Sequence, residues 1–149
     1  MTSKITTMNL TKNKYYFEAL DFYPYNLPDC LDALNYALSY DSEDADALCL
    51  MGRIHSEVLK NYEKAKEFFE EAMMFDVSNV NTPQYYIACL IENEDFAEAE
   101  NFITLLINYL SIPKDSKIID LACGKGRHSV FLNQLGYEVL GLDLSKESI

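Results

Sequence analysis

The apolar pattern Tyr62, Ala65, Phe69, Ala72 returns 34 residues later as Phe96, Ala99, Ile103, Leu106. No other feature constrains the fold so tightly. Apolar residues spaced by three and four line one face of a helix. A pattern recurring at a fixed period of roughly 20 to 50 residues signals stacked copies of one supersecondary unit. Toward the N-terminus, Cys30, Leu34, Ala37, Leu38 and Asp41 match Ala65, Phe69, Ala72, Met73 and Asp76, at a step of 35. The middle unit therefore carries one extra residue near its turn.

The stretch Asp44 to Asp76 shows what each unit is. Asp44 suits the cap of a helix whose apolar positions are Ala47, Leu48, Met51, Ile54, His55 and Val58. A break follows at Lys60-Asn61, and a second helix carries Tyr62, Ala65, Phe68, Phe69, Ala72 and Met73. Two amphipathic helices joined by so short a turn pack as an antiparallel hairpin. The small residues Cys30, Ala65 and Ala99 let the second helix of each pair approach the first closely. Helices are predicted near 12–22, 28–40, 44–59, 62–75, 83–93 and 95–110. Tyr23-Pro24 ends the first, while Pro28 and Pro83 suit first turns.

A helix–turn–helix period of this length resembles the tetratricopeptide repeat family over about residues 10–106. Leu48, Gly52, Tyr62, Ala65, Phe69 and Ala72 stand at or near its signature positions. His55 replaces a usual aromatic, and the third unit keeps Phe96 and Ala99 but lacks a match for Gly52. The resemblance implies a scaffold that binds a protein or peptide on its concave face. Tyr15, Tyr16, Tyr40, Tyr85 and Tyr86 are the candidate exposed anchors, although most tyrosines in such arrays cement one hairpin to the next. Glu92, Glu94, Asp95, Glu98 and Glu100 read as a solvated helix surface.

Charge divides the chain. Residues 1–111 hold 19 of the 24 acids and 7 of the 12 bases, so they carry the whole net charge of -12. Residues 112–149 hold 5 of each. An acidic surface repels nucleic acid and anionic membranes, which excludes both as expected partners. No apolar run reaches transmembrane length, and the N-terminus lacks a signal-peptide core, so a cytoplasmic setting is the default expectation. Cys30, Cys49, Cys89 and Cys123 are too scattered for a metal cluster or a compact disulfide framework. The first three read as buried filler.

Past Ser111-Ile112-Pro113 the pattern changes, and four of the five glycines lie beyond it. Lys117 to Leu121 reads as a strand. Ala122-Cys123-Gly124-Lys125-Gly126 reads as a loop, and Arg127 to Leu135 as a helix with Val130, Phe131 and Leu135 inward. Gly136 reads as a C-cap, and Tyr137 to Leu142 as a second strand closed by Asp143. Right-handed crossover makes the two strands parallel and adjacent. Gly124 and Gly126 let backbone approach a ligand. Asp143, at the end of the second strand, can accept hydrogen bonds from both hydroxyls of a ribose.

The stretch IIDLACGKGRHSVFLNQLGYEVLGLDLSKESI resembles the first motifs of class I methyltransferases that use S-adenosylmethionine. That resemblance implies that Asp120, Ala122, Gly124 and Gly126 border the methionine part of the cofactor. It implies that Asp143 binds the adenosine ribose, with Leu144 beside it. Lys125 and Arg127 keep a phosphate-bearing dinucleotide as the lesser alternative. Cys123 reads as a wall residue and His128 as a surface or capping residue, so no catalytic residue is assigned.

The expected architecture is mainly α. A domain of stacked antiparallel helix hairpins over 1–111 precedes an incomplete Rossmann-like β-α-β unit over 112–149. The corresponding function is a protein- or peptide-binding scaffold carrying a partial S-adenosylmethionine site, not catalytic by itself. The alternative is a methyltransferase represented by its N-terminal part. Two strands with open edges are also expected to associate, with self-association through residues 112–149 as one route.

Overall fold

The computed structural model describes residues 13–121 and 123–143. The chain forms two compact units, Met1–Asp95 and Phe96–Ile149. The composition break near residue 111 thus falls inside the second unit.

The first unit is helical: α1 (Lys14–Phe22), α2 (Leu27–Tyr40), α3 (Ala45–Arg53, continued as a π-helical turn over Ile54–Val58), α4 (Tyr62–Phe75) and α5 (Asn81–Glu92). Side-chain caps fix most of the starts. Asn13 accepts from the Tyr15 amide, Asp44 from those of Asp46 and Ala47, and Asn61 from that of Lys64. The helices pack in pairs, α1 on α2 and α3 on α4, with α2–α3 and α4–α5 contacts joining one pair to the next.

The recurrence seen in the sequence is repeated in space. Cys30 and Ala65 are wholly enclosed, as are Leu34 and Phe69, and Ala37 and Ala72. The Cys30 thiol donates to the Ala19 carbonyl at 3.3 Å, a contact a larger side chain would prevent. Even the turns copy one another. The amides of Asp41 and Asp76 bond back to Ala37 and Ala72, and the carboxylates of Asp41 and Asp76 accept from the amides of Glu43 and Ser78.

The extra residue of the middle unit has a structural explanation. The Leu59 amide donates to Ile54 O at 3.0 Å, five residues back. A turn of π geometry takes in one residue more than α geometry does. That matches the step of 35 across this hairpin against 34 to the next. Lys60 then adopts a left-handed φ of 53°, and the chain turns into α4. Gly52, one turn earlier, lies against Phe69. A Cβ there would stand 2.7 Å from the ring, so only glycine lets the ring seat fully.

The acidic run is a solvated surface, as expected, and it also carries ion pairs. Glu92 pairs with Lys60 at 3.0 Å and Asp95 with Lys66 at 3.2 Å, which ties the end of α5 to α4 and its lead-in. Of the candidate exposed tyrosines, Tyr40 is exposed but Tyr86 is buried, because its ring meets Phe69 edge-on while its hydroxyl donates to Glu70. Tyr15 stacks against Tyr36 and Tyr40.

The second unit contains α6 (Phe96–Tyr109), β1 (Lys117–Leu121), α7 (Arg127–Gln134) and β2 (Glu138–Leu142). The strands are parallel and adjacent, in the register Lys117↔Glu138 through Leu121↔Leu142. The inward face of α7 differs from the expected one: Leu132 is buried, whereas Val130 is 57% exposed. Tyr137, expected as the first residue of the second strand, precedes it and is the largest enclosed side chain among the described residues. Its hydroxyl donates to Ile112 O at 3.1 Å, and the Lys114 ammonium lies 4.5 Å from its ring centre.

Candidate functional site

The carboxyl ends of two adjacent parallel strands are where open α/β sheets place ligands. Here the β1–α7 loop and the residue after β2 meet at that end. Gly124 and Gly126 have left-handed φ values of 53° and 70°. Asp143 closes the arrangement, since one of its carboxylate oxygens accepts from the Gly124 amide at 2.7 Å. The loop is further tied by the Gly126 amide to Cys123 O and by the Cys123 amide to Leu142 O.

These residues surround an open recess of about 360 Å³ lined by Cys123 to Gly126, Ser129, Val130 and Gly141 to Asp143. Asp120 does not line it but reaches it through Ser129, whose hydroxyl donates to the Asp120 carboxylate at 2.7 Å. The structure thus brings Gly124, Gly126 and Asp143 together at one recess and links Asp120 to it. Ala122 and Leu144 lie outside the described residues.

Two further positions shape the site. Ser129 is one, and nothing in its spacing marked it. Gly141 is the other: a Cβ there would stand 2.9 Å from Cys123 Sγ and 3.1 Å from Ser129 Oγ, so glycine lets the loop and α7 close over β2. A glycine inside a strand pattern is a signal for such an approach. The charges of the loop are not gathered for a phosphate. Lys125 is exposed, and the Arg127 guanidinium lies 3.5 Å from the centre of the Phe96 ring. His128 does not cap α7, and its Nε2 is enclosed without a partner.

A methionine–ribose ligand fits this set. At Gly124 a Cβ would meet nothing within 4 Å, so the space in front of the loop is open to a ligand. Asp143 accepts from the loop amide at the mouth of the recess, and a carboxylate has acceptor sites for several donors at once.

The first unit has a smaller recess, of about 160 Å³, on α1, α3 and α5, walled by Tyr16, Leu20, Asp46, Cys49, Leu50, Arg53, Asn81 and Tyr85. Arg53 organises it. Its guanidinium lies over the rings of Tyr23 and Tyr85, 4.9 and 4.3 Å from their centres, and bonds to both oxygens of Glu57, which also accepts from the Tyr23 hydroxyl. Burial would raise the Glu57 carboxyl, but these hydrogen bonds bring it below its usual range. Burial, then the neighbouring Asp46 charge, pushes the Tyr16 phenol up to about 12.

The structure joins a β-α-β unit with a glycine-rich loop to a mostly helical N-terminal region. Comparison with known proteins makes that unit methyltransferase-like. The family described as "TehB: Tellurite resistance protein TehB" matches residues 91–149, under half of the chain. "Putative methyltransferase YqeM" of Bacillus subtilis (strain 168) is 49% identical over 39 residues, covering 26% of this chain and 16% of that protein. "Uncharacterized methyltransferase sll0829" of Synechocystis sp. (strain ATCC 27184 / PCC 6803 / Kazusa) is 40% identical over 50 residues, covering 34% of this chain and 24% of that protein. The chain thus spans at most about a quarter of the length of these curated relatives. No solved structure matches. No helix among the described residues is long and apolar enough to cross a membrane.

Proposed function

We propose that the second unit supplies part of an S-adenosylmethionine site and that the first is a protein- or peptide-binding helical scaffold of tetratricopeptide-repeat type. The observation that carries the cofactor reading is the Gly124 amide bonded to Asp143 across the open recess. In this reading Gly124 and Gly126 border the methionine end, with Asp120 acting through Ser129. Asp143 holds the ribose. The cofactor supplies an activated methyl group, and these residues bind and orient it. The recess on α1, α3 and α5 is the place for a bound peptide, and Tyr16 and Tyr85 are its aromatic walls.

Titration calorimetry with S-adenosylmethionine tests the cofactor reading. Binding heat is expected, and Asp143→Ala should weaken binding at least about tenfold, because a ribose loses a charge-assisted hydrogen bond. No heat from the parent protein, or unchanged affinity in the variant, would sink it. A second reading, favoured by the two relatives' descriptions as methyltransferases, is that the protein transfers the methyl group. Such a step rests chiefly on aligning acceptor and donor. Transfer of labelled methyl to a substrate would distinguish it from binding alone.

A further inference from the structure

Charge in the first unit is one-sided, and its few bases are already engaged. Residues 13–95 hold 17 acids and 5 bases. Lys60, Lys64 and Lys66 pair with Glu92, Glu67 and Asp95, Arg53 pairs with Glu57, and the Lys14 ammonium lies over the Tyr15 ring. The charge left unbalanced is negative, and such a surface draws basic partners. The recess on α1, α3 and α5 combines that charge with apolar walls. Cys49 and Leu50 are its buried part, Tyr16 and Tyr85 bring aromatic rings, and half-buried Asp46 brings a carboxylate. The base in its wall is Arg53, whose charge Glu57 meets with both oxygens, at 2.9 and 3.3 Å. The Tyr16 phenol reports the sign of the local field. Asp46 and Asp44 each oppose its ionisation more than Arg53 favours it.

We propose, resting on the peptide-scaffold reading above, that this recess takes one cationic side chain, lysine or arginine, from a basic peptide segment of another protein. Size limits the occupant. A volume of about 160 Å³ is well below the roughly 300–1,000 Å³ of pockets that enclose a drug-sized molecule. It suits a single side chain. Chemistry then selects which one. Lysine and arginine carry a charged tip on an apolar stem. Leu20, Leu50 and the two tyrosines suit the stem, and Asp46 suits the tip. The Asn79 side chain donates to Asp46 at 3.0 Å and steadies it, and a carboxylate has acceptor sites for several donors at once. Tyrosine rings in this wall already receive a cation, since the Arg53 guanidinium lies 4.3 Å from the Tyr85 ring centre. An acidic side chain would meet the Asp46 charge, with Arg53 committed to Glu57. An apolar one would take water from Asp46 and give nothing back.

An array of short synthetic peptides tests this, with randomised flanks around a central lysine, arginine, glutamate or leucine. Peptides with a basic centre should be favoured at least about tenfold over the other two kinds. The strongest binder, fluorescently labelled, is then titrated against variants by anisotropy. Asp46→Asn keeps the shape of the side chain and removes the charge, and should weaken binding at least about tenfold. Glu71→Gln makes the same charge change at an exposed position of α4, outside the recess, and should weaken it less than about twofold. Asn81→Lys sets a cation at an exposed position of the wall and should abolish the preference for a basic centre. Circular dichroism spectra should be unchanged in all three. Equal losses from Asp46→Asn and Glu71→Gln would overturn the proposal, because the attraction would then belong to the whole acidic surface. An undiminished preference in Asn81→Lys would overturn it too. Glutamate- or leucine-centred peptides binding best would overturn it while leaving the scaffold reading in place. No binding by any peptide would sink both.

Discussion

The two units use their apolar residues differently. In the first, Leu34, Ile54, Phe69 and Leu90 are wholly enclosed, together with small residues that let helices close on one another. In the second, Ile119, Leu121, Val130, Leu140 and Leu142 all face outward, and Tyr137 is the largest enclosed side chain. Connectivity accounts for the difference. Each helix of the first unit packs on the next one in the sequence, so its core is assembled from near neighbours. The strands of the second unit need cover on both faces and a partner at each edge, and α7 covers one face only. A helical array is thus self-sufficient over a length at which a parallel β-α-β unit still depends on what docks against it.

The largest test of that contrast is Phe69→Ala. Phe69 is fully enclosed, seated on Gly52 and in edge contact with Tyr86. Removing its ring should cost about 3–5 kcal/mol, read as a drop in urea midpoint monitored by helical circular dichroism. A cost below about 1 kcal/mol would mean that the helical core repacks freely, and the contrast with the second unit would fail.

The matching test in the second unit is smaller. Tyr137→Phe keeps the ring and removes the hydroxyl that donates to Ile112 O. The expected loss is about 1 kcal/mol, the usual net worth of one such bond. Hydrogen exchange of the β2 amides would show it as faster local opening. An unchanged exchange pattern would mean that this link does not hold the strand to the segment before β1.

Much of this was legible in the sequence, for reasons that differ along the chain. Every helix of the first unit was placed within a few residues, because three- and four-residue apolar spacing and Asn or Asp caps are local signals. The step of 35 foretold an extra residue, and the π-helical turn at Ile54–Val58 accommodates it. The β-α-β order was equally plain from Gly124, Gly126 and the two apolar runs. What stayed hidden depends on partners distant in sequence. The inward face of α7 differs from the expected one because a helix of eight residues offers too few positions to fix a phase. Tyr86 departs from its expected exposure because only the α4–α5 packing decides which of two adjacent tyrosines faces Phe69 and Glu70. Arg53 drew no notice since its role needs Tyr23 and Tyr85 from two other segments. Ser129 likewise gains meaning only when the fold sets it between Asp120 and Gly141.

The finest test concerns His55, which occupies a position suited to an aromatic residue and behaves as one. Its ring stacks on Phe68 at 5.3 Å, and its Nδ1 is enclosed without a partner. Burial first, and the charge of Lys64 second, lower its pKa from the ordinary 6.5. The unfolded chain therefore takes up a proton on this imidazole at a higher pH than the folded chain does. Between the two pKa values the unfolded state binds more protons, so stability rises with pH. His55 favours the fold fully above about pH 6.5, and that contribution is lost as the pH falls through the folded-state value. His55→Phe should keep the stacking and remove this dependence. Glu57, whose carboxyl is also lowered, destabilises both proteins alike on acidification, so it cancels from the comparison. Urea midpoints measured in steps from about pH 7 to about pH 5 should fall less for the variant than for the parent. Parallel curves would show that the π-helical turn accepts a charged imidazole without cost, and that this edge of the helical unit is as open as the sheet.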